Sequence, residues 1–383
     1  MTPSIPPFTI VVAPDSFKGS LGALEVARAI AAGWASVRPG DALTLIPQAD
    51  GGEGTLDAVE ASVPGAVRRD AGTVTGPDGR PTPGNWLELP DGTAVVELAQ
   101  MSGIPLMGRL DPLGASTVGL GEVIRLALAS GASRLVIGLG GSASTDGAAG
   151  ALAALGLRGD GPLTAGGGSL AALGSLDRSG LLAPPPGGVT LLTDVSAPLL
   201  GPTGAAAVFG PQKGASTAEV ALLDAALGHF AELLGAGQRG ADPHLPGTGA
   251  AGGAAYGFAA AWGARIEPGA DYLSTLAGVP GAIATADLLI TGEGRFDATS
   301  GTGKLVGTLI TLAGGHGVPV AVIAGQLAVP PLGSDGTPLW ASGLADLAGS
   351  AGAAMADPVR WLRAAGVAAA TEVSAGSDGR LRL

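Results

Sequence analysis

The sequence contains no cysteine, which excludes disulfide bonds, thiolate metal sites and a cysteine nucleophile. Aromatic residues make up only 3%, and 20 lysines and arginines against 32 acidic residues leave a net charge of −12. Binding to a phosphate backbone needs a basic surface, so we expect no nucleic-acid partner. The chain also lacks a basic signal-peptide start and any apolar run of about 18 residues. We therefore expect a cytoplasmic protein with no membrane partner.

What the sequence has in abundance is glycine, with 68 residues, and small apolar residues within a hydrophobic fraction of 46%. The glycines lie between apolar segments and form no repeat, which indicates a folded protein with many tight turns. A length of 383 residues is long for one hydrophobic core and predicts two domains.

Strands and helices alternate at both ends of the chain, as in a parallel sheet with helical crossovers. The predicted elements are strand 8–13, helix 21–37, strand 43–46 and helix 54–62, then strand 286–291, helix 303–313, strand 318–323 and helix 358–369. This pattern predicts an α/β fold in which residues 1–75 and 285–383 form a flavodoxin-like or Rossmann-like domain. A second α/β domain, residues 76–284, is inserted into it, and we expect the active-site cleft between the two domains.

The first polar cluster follows the strand that ends at Ala13 and precedes a helix. It presents the carboxylate of Asp15, the hydroxyls of Ser16 and Ser20, and the ammonium group of Lys18. Open α/β sheets bind ligands at this edge, and the following helix N-terminus favours an anion. The cluster therefore predicts a phosphate or other anion site.

Two further clusters carry carboxylates at strand ends. Asp50 and Glu53 flank glycines, and Asp50 could hold a metal or accept a proton from a hydroxyl. The structural alternative is helix capping. Glu293, Arg295 and Asp297 place one guanidinium between two carboxylates. Arginine binds carboxylates or phosphates through two hydrogen bonds, whereas a local ion pair with either neighbour is the alternative.

The loop 138–147 follows a strand and resembles a phosphate cradle of successive N–H groups, which would involve Gly140, Gly141 and Ser142. A plain glycine-rich helix entry is the alternative, and no ribose-binding acid completes a Rossmann fingerprint. Asp194 also follows a strand and could serve as a metal ligand or base. Lys213 could pair with phosphate, although a solvated surface lysine is the common case.

Together these clusters favour phosphoryl transfer, which needs cations and amides for phosphate oxygens and carboxylates for Mg²⁺ and the attacking hydroxyl. The P-loop, protein-kinase and nucleophile-elbow motifs are absent. The motifs around 13–20, 49–55, 140–143, 204–214 and 291–295 resemble those of the type I glycerate kinases. Departures occur at Thr145 and Ala197, where the family usually has Asn, and at Gln48, where it usually has Met.

The resemblance implies ATP-dependent phosphorylation of D-glycerate, with 2-phosphoglycerate as the usual product and Mg²⁺ as cofactor. With it, we assign catalysis to Lys18, Asp194, Asp50 and Arg295, substrate binding to Asp15, Ser16, Ser20, Glu53, Glu293 and Asp297, nucleotide binding to Gly140, Gly141, Ser142 and Lys213, and the metal to Asp194 and Asp50. We expect Arg295 or Lys18 to bind the glycerate carboxylate, and Asp194 or Asp50 to orient its hydroxyl.

Three alternatives stay open at this point. The product of the same chemistry could be 3-phosphoglycerate. The glycine turns could instead serve an NAD-dependent dehydrogenase, which the missing fingerprint disfavours, or the chain could be a non-enzymatic binding protein for small acids. The sequence is compatible with a monomer or a homodimer.

Overall fold

The computed structural model describes residues 7–235, 242–301, 304–375 and 381–382. Its strands are β1 (Thr9–Val12), β2 (Ala42–Leu45), β3 (Val67–Thr75), β4 (Pro81–Glu88), β5 (Thr93–Glu97), β6 (Arg134–Gly138), β7 (Arg158–Gly159), β8 (Leu176–Asp177), β9 (Val189–Leu192), β10 (Arg265–Glu267), β11 (Leu288–Thr291), β12 (Arg295–Phe296), β13 (Val320–Ala324), β14 (Gln326–Leu327), β15 (Trp340–Gly343), β16 (Ser374–Ala375) and β17 (Leu381–Arg382).

The α-helices are α1 (Ala23–Val37), α2 (Thr55–Ser62), α3 (Ala99–Ser102), α4 (Val118–Ala129), α5 (Ala149–Ala154), α6 (Ala205–Phe209), α7 (Thr217–Gly235), α8 (Ala250–Trp262), α9 (Gly269–Leu276), α10 (Val279–Ala284), α11 (Leu305–Gly315), α12 (Leu344–Ala348), α13 (Ala351–Ala356) and α14 (Pro358–Glu372). Short 3₁₀ helices cover Ile104–Leu106, Gly167–Ala172 and Pro211–Lys213. The predicted start of α11 at Gly303 lies outside the described residues.

Contacts within the chain define two compact units. The first comprises Met1–Ala49, Asp57–Pro64 and Ala270–Leu383, and the second comprises Asp50–Leu56 and Gly65–Gly269, counting in each the residues that the structure describes. Strand β3, which lies before the predicted boundary at residue 75, pairs with β4 in the sheet of the second unit. The predicted domain limits and cleft stay predictions.

The first unit contains a five-stranded parallel sheet with the order β2-β1-β11-β13-β15. Alternate residues of β1 face opposite layers, as the period of a strand requires. Ile10 and Val12 pack with α1 and α14, whereas Val11 and Ala13 pack with α10 and α11. The central strands β1, β11 and β13 are buried and almost entirely apolar, as in a sheet covered by helices on both faces.

The second unit contains a mixed six-stranded sheet with the order β10-β9-β6-β5-β4-β3. Its first four strands are parallel, and β4 and β3 are antiparallel to their neighbours. Helices α4, α5, α7 and α8 contribute to its hydrophobic core. The predicted α/β class with parallel-strand sheets is confirmed. Among the described helices, none has the length and apolar character that crossing a bilayer requires.

Candidate active site

The turns after β1 and β11 meet where the strand order of the five-stranded sheet reverses. Numbered within the first unit, the order is 2-1-3-4-5, and such a switch point is where open α/β sheets bind ligands. The N–H of Asp15 donates to the carbonyl oxygen of Gly292 at 2.8 Å. A Cβ atom placed on Gly294 would lie 3.5 Å from the Cα atom of Phe17. The structure thus brings the first and fourth polar clusters together.

Glycine allows the turn after β11 to approach its neighbours this closely. A Cβ atom on Gly292 would lie 1.7 Å from the carbonyl oxygen of Ile323, so no larger residue fits without displacing the backbone. The next residue, Glu293, accepts a hydrogen bond from the N–H of Gly325 at 3.0 Å through its carbonyl oxygen. The main chain on which the Glu293 carboxylate is mounted is therefore held in place by the turn after β13.

The Glu293 carboxylate is half-buried, and its Oε1 atom is buried with no hydrogen-bond partner among the described residues. Burial raises its pKa above the ordinary value, and Asp297 raises it further. The Ser300 hydroxyl and the charges of Lys304 and Lys18 oppose that rise. An unpaired buried acceptor of this kind is uncommon in folded proteins.

Two cations of the predicted site lie in the segments that follow β1 and β11. Lys18 and Arg295 are both exposed, and Arg295 donates from Nη1 to Oε1 of Gln326 at 3.0 Å. This bond to a neutral amide orients the guanidinium, and the charge of Arg295 also lowers the pKa of Asp297. Both cations are accessible to an anionic ligand.

Other predicted residues of this cluster form hydrogen bonds within their own turns. Oδ1 of Asp15 accepts from the N–H of Ser16, and the Ser20 hydroxyl donates to the carbonyl oxygen of Phe17 at 2.9 Å. Oδ1 of Asp297 accepts from the hydroxyl and the N–H of Thr299, and these bonds lower the pKa of Asp297. The geometry gives Ser20 and Asp297 a part in shaping the turns.

In the second unit, Asp50 and Asp194 meet at Gly269. Oδ1 of Asp194 accepts from the N–H of Gly269 at 2.8 Å, and a Cβ atom on Gly269 would lie 2.0 Å from the carbonyl oxygen of Asp50. The N–H of Gly140 donates to the carbonyl oxygen of Gly51 at 3.0 Å. The segment 50–54 therefore lies against the carboxyl ends of β6 and β9. Glu53, within this segment, is exposed.

Glu97, at the end of β5, positions this segment and was missed in the sequence analysis. Its side chain is fully buried. Oε1 accepts from the N–H of Gly54 at 3.1 Å and from Nε2 of Gln100 at 3.1 Å, and Oε2 accepts from the N–H of Leu56 at 2.9 Å. The carboxylate thus satisfies donors at the N-terminus of α2, where negative charge is favoured. The one sequence feature that could have pointed to Glu97 is its position as a single acidic residue at the end of an otherwise apolar strand.

The predicted phosphate cradle differs from a row of accessible amides. The N–H of Gly140 is bound to Gly51, and the N–H of Ala143 donates to the carbonyl oxygen of Ser102 at 2.9 Å. The backbone of Gly141 has a φ of 77°, in the left-handed region that favours glycine. Its carbonyl oxygen accepts from Ile104 at 3.0 Å. The loop is thus a packed turn in which at least two amides are already used.

Lys213 is buried, with 3% of its surface exposed, so the alternative of a solvated surface lysine is wrong. Its ammonium group donates to the Ser142 hydroxyl at 2.9 Å and to the carbonyl oxygen of Ser144. Burial lowers the pKa of Lys213 to about 7, and the charge of Asp146 opposes that shift. Lys213 therefore stabilises the loop after β6 through hydrogen bonds made in the interior of the second unit.

Asp146 is the buried anion of the same region. Its carboxylate accepts from the N–H and hydroxyl of Thr117 at 2.9 and 2.8 Å, and from the N–H of Gly150 at 3.2 Å. Burial raises the pKa of Asp146, and these hydrogen bonds oppose the rise. The adjacent Thr145 has a buried hydroxyl with no hydrogen-bond partner in the described part of the chain. The resemblance predicts Asn at this position.

Gln48, where the resemblance predicts Met, is accommodated by hydrogen bonds. Nε2 of the buried Gln48 donates to the carbonyl oxygen of Ile46 at 2.8 Å, and its Oε1 accepts from the hydroxyl of Ser274 at 2.7 Å. A buried polar side chain with both ends bonded is tolerated in a core. This departure therefore leaves the local fold intact.

Asp50 and Asp194 are the metal ligands that the sequence predicts. Across the described ranges, no group of three or more His, Asp or Glu side chains could hold a metal ion. Mg²⁺ commonly binds through one or two carboxylates and completes its shell with phosphate oxygens and water. Near Gly269 lie the carboxylate of Asp194 and the main-chain carbonyl of Asp50, and the metal role of both residues stays a prediction.

Comparisons with known proteins agree on one family. The model of the glycerate kinase family matches residues 10–373. The chain is 41% identical over 326 residues to the glycerate 2-kinase of Escherichia coli strain K12, covering 83% of this chain and 85% of that protein. It is 40% identical over 326 residues to the glycerate kinase of Bacillus subtilis strain 168, with the same coverage, 83% and 85%. A crystal structure assigned as glycerate kinase 2 of Salmonella typhimurium LT2 superposes with a TM-score of 0.78 at 34% identity, covering 96% of this chain and 98% of that one.

Proposed function

The chain belongs to the glycerate kinase family, and from this premise we propose that it transfers the γ-phosphoryl group of ATP to the 2-hydroxyl of D-glycerate. The products are 2-phosphoglycerate and ADP. The observation that carries the proposal is the cluster at the switch point of the parallel sheet, where the charges of Lys18 and Lys304 act on Glu293 and Arg295 follows Glu293 by two residues. Family membership also favours a phosphotransferase over a dehydrogenase.

The exposed cations of the first unit suit an anionic substrate. Arg295 or Lys18 binds the carboxylate of glycerate, and the other cation stabilises charge on the transferred phosphoryl group. Arginine matches a carboxylate through two parallel hydrogen bonds, whereas lysine acts as a point charge. Asp15 and Ser16, in the turn that contacts Gly292, complete the substrate contacts in this proposal.

The second unit supplies the groups for the nucleotide. Asp50 and Asp194 would hold Mg²⁺, which would neutralise charge on the phosphates. Gly141 and Ser142 line the nucleotide phosphates in this proposal, and Lys213 supports them through its bond to the Ser142 hydroxyl. Its ammonium group already bonds to the Ser142 hydroxyl and to the carbonyl oxygen of Ser144, so we propose that it supports the loop instead of binding phosphate directly.

A coupled assay tests the function and the isomer together. ADP release is measured with Mg²⁺, ATP and D-glycerate, and then with L-glycerate or glycerol instead. We expect ADP only with D-glycerate, and a Lys18→Ala preparation controls for contaminating kinases. Enolase is then supplied with and without phosphoglycerate mutase. Phosphoenolpyruvate formed with enolase alone identifies 2-phosphoglycerate, and a requirement for mutase identifies 3-phosphoglycerate. Binding of glycerate without ADP release would support a small-acid binding protein instead.

A further inference from the structure

We propose that Glu293 is the residue that accepts the proton of the attacking glycerate hydroxyl, an assignment that rests on the proposed kinase function. The motifs alone predict this role for Asp194 or Asp50, and they predict Glu293 only as a substrate contact. Three features of the structure favour Glu293: an unpaired buried oxygen, a rigid main chain and neighbouring cations.

The first feature is the Oε1 atom, which is buried and has no partner among the described residues. A buried acceptor left without a donor is unfavourable, because it has lost its hydrogen bonds to water and gained none in the protein. An ionised carboxylate accepts hydrogen bonds and donates none, so the ligand that relieves this cost must carry a donor. The hydroxyl groups are the only donors of ionised glycerate.

The second feature is the way the main chain of Glu293 is fixed. Gly292 lies too close to Ile323 for any side chain, and the carbonyl oxygen of Glu293 accepts from the N–H of Gly325. The following Gly294 accepts from the N–H of Gln326 at 3.1 Å. A proton acceptor must hold its position relative to the reacting oxygen, and this turn is anchored on both sides of the residue.

The third feature is the charge around the carboxylate. Lys18 and Lys304 act on Glu293 as positive charges, and the exposed Lys18 is in the turn that contacts Gly294. Cations beside the acceptor draw the anionic substrate towards it. The Oδ1 atoms of Asp50 and Asp194, by contrast, are already bonded to the N–H groups of Gly52 and Gly269.

The hydroxyl oxygen of glycerate forms a bond to the γ-phosphorus of ATP while the bond from that phosphorus to the β,γ-bridging oxygen breaks. ADP leaves with the bonding electron pair. The hydroxyl proton moves to Oε1 of Glu293 and is returned to solvent after the product leaves.

The electrostatic environment is consistent with this role. Burial raises the pKa of Glu293 above the ordinary value of 4.5. A general base works best when its pKa lies closer to the operating pH, provided that it stays ionised. The acid limb of kcat/KM should therefore lie at a higher pH than an ordinary glutamate would give.

The test compares Glu293→Gln with Glu25→Gln. Glu25 is exposed and accepts from the N–H of Gly22 at 3.1 Å, a bond that glutamine also makes. We expect kcat of Glu293→Gln to fall by about 10²-fold or more, with KM for D-glycerate changed only a few-fold and the acid limb abolished. Glu25→Gln should match the wild type. Near-normal kcat in Glu293→Gln, or an unchanged acid limb, would overturn the assignment.

A second variant separates proton transfer from folding. Glu293→Ala should be inactive with circular dichroism and thermal midpoint close to the wild type, and added formate should restore part of its activity by replacing the lost carboxylate. If formate has no effect on folded Glu293→Ala, the residue is structural and the inference fails. A wild-type protein that releases no ADP with D-glycerate would overturn the proposed function itself, which is a different outcome.

Discussion

Removal of the Glu97 carboxylate is expected to release the segment that carries Asp50. In Glu97→Ala, the N–H groups of Gly54 and Leu56 lose the acceptor that now lies at 3.1 and 2.9 Å. Leu56 is fully buried, so its N–H finds no water, whereas Gly54 is half-buried and recovers part of the loss through solvent.

The magnitude follows from these two donors. A buried unpaired donor costs about 1–3 kcal/mol, and the half-buried one costs less. We expect Glu97→Ala to lower the free energy of unfolding by about 3 kcal/mol in total. Glu97→Gln keeps one acceptor oxygen and places an amide N–H₂ towards the other donor, so its free energy of unfolding should fall by an intermediate amount.

The assay has a global and a local readout. Urea unfolding followed by far-UV circular dichroism measures the free energy of unfolding, and hydrogen exchange with mass spectrometry follows residues 50–56. Glu88→Ala is the matched control, because its exposed ion pair with Arg69, at 2.8 Å, should contribute less than about 1 kcal/mol. If exchange at 50–56 is unchanged in Glu97→Ala and its stability equals that of Glu88→Ala, the reasoning is refuted.

Three further outcomes are expected. Lys18→Ala should lower kcat/KM for D-glycerate by about 10²-fold or more through lost charge stabilisation, and a near-normal rate in steady-state assays would remove Lys18 from the site. Gly292→Ala should fail to accumulate as a folded, active protein, because its Cβ atom would lie 1.7 Å from the carbonyl oxygen of Ile323; normal expression, thermal midpoint and activity would contradict this. Lys213→Met tests the lysine pKa of about 7. Because the folded protein loses this proton before the unfolded chain does, the stability of the wild type relative to the variant should rise from pH 7 to pH 9, by up to about 1.4 kcal/mol per pH unit. Parallel stability curves from urea unfolding at each pH would contradict that pKa.

Several elements could be predicted because their determinants are local. Strands β1, β11 and β13 are short apolar runs bounded by turn residues, and the observed limits fall within two residues of the predicted ones. Helices α7 and α8 were not predicted, since alanine, leucine and glycine recur on most of their faces and leave little polar periodicity to detect. Pairing of β3 depends on contacts with β4, which local sequence does not encode.

The sequence by itself determined the α/β class, the position of the polar clusters at strand ends and the family, because strand periodicity and contiguous motifs are read along the chain. Only the tertiary structure decided the environment of single side chains. The bond from Lys213 to Ser142 spans 71 residues, and that from Glu97 to Gly54 spans 43. Burial, desolvation and hydrogen-bond partners arise from such long-range contacts. The burial of Lys213, the hydrogen bonds of Glu97 and the unpaired oxygen of Glu293 can therefore be recognised only in the folded protein.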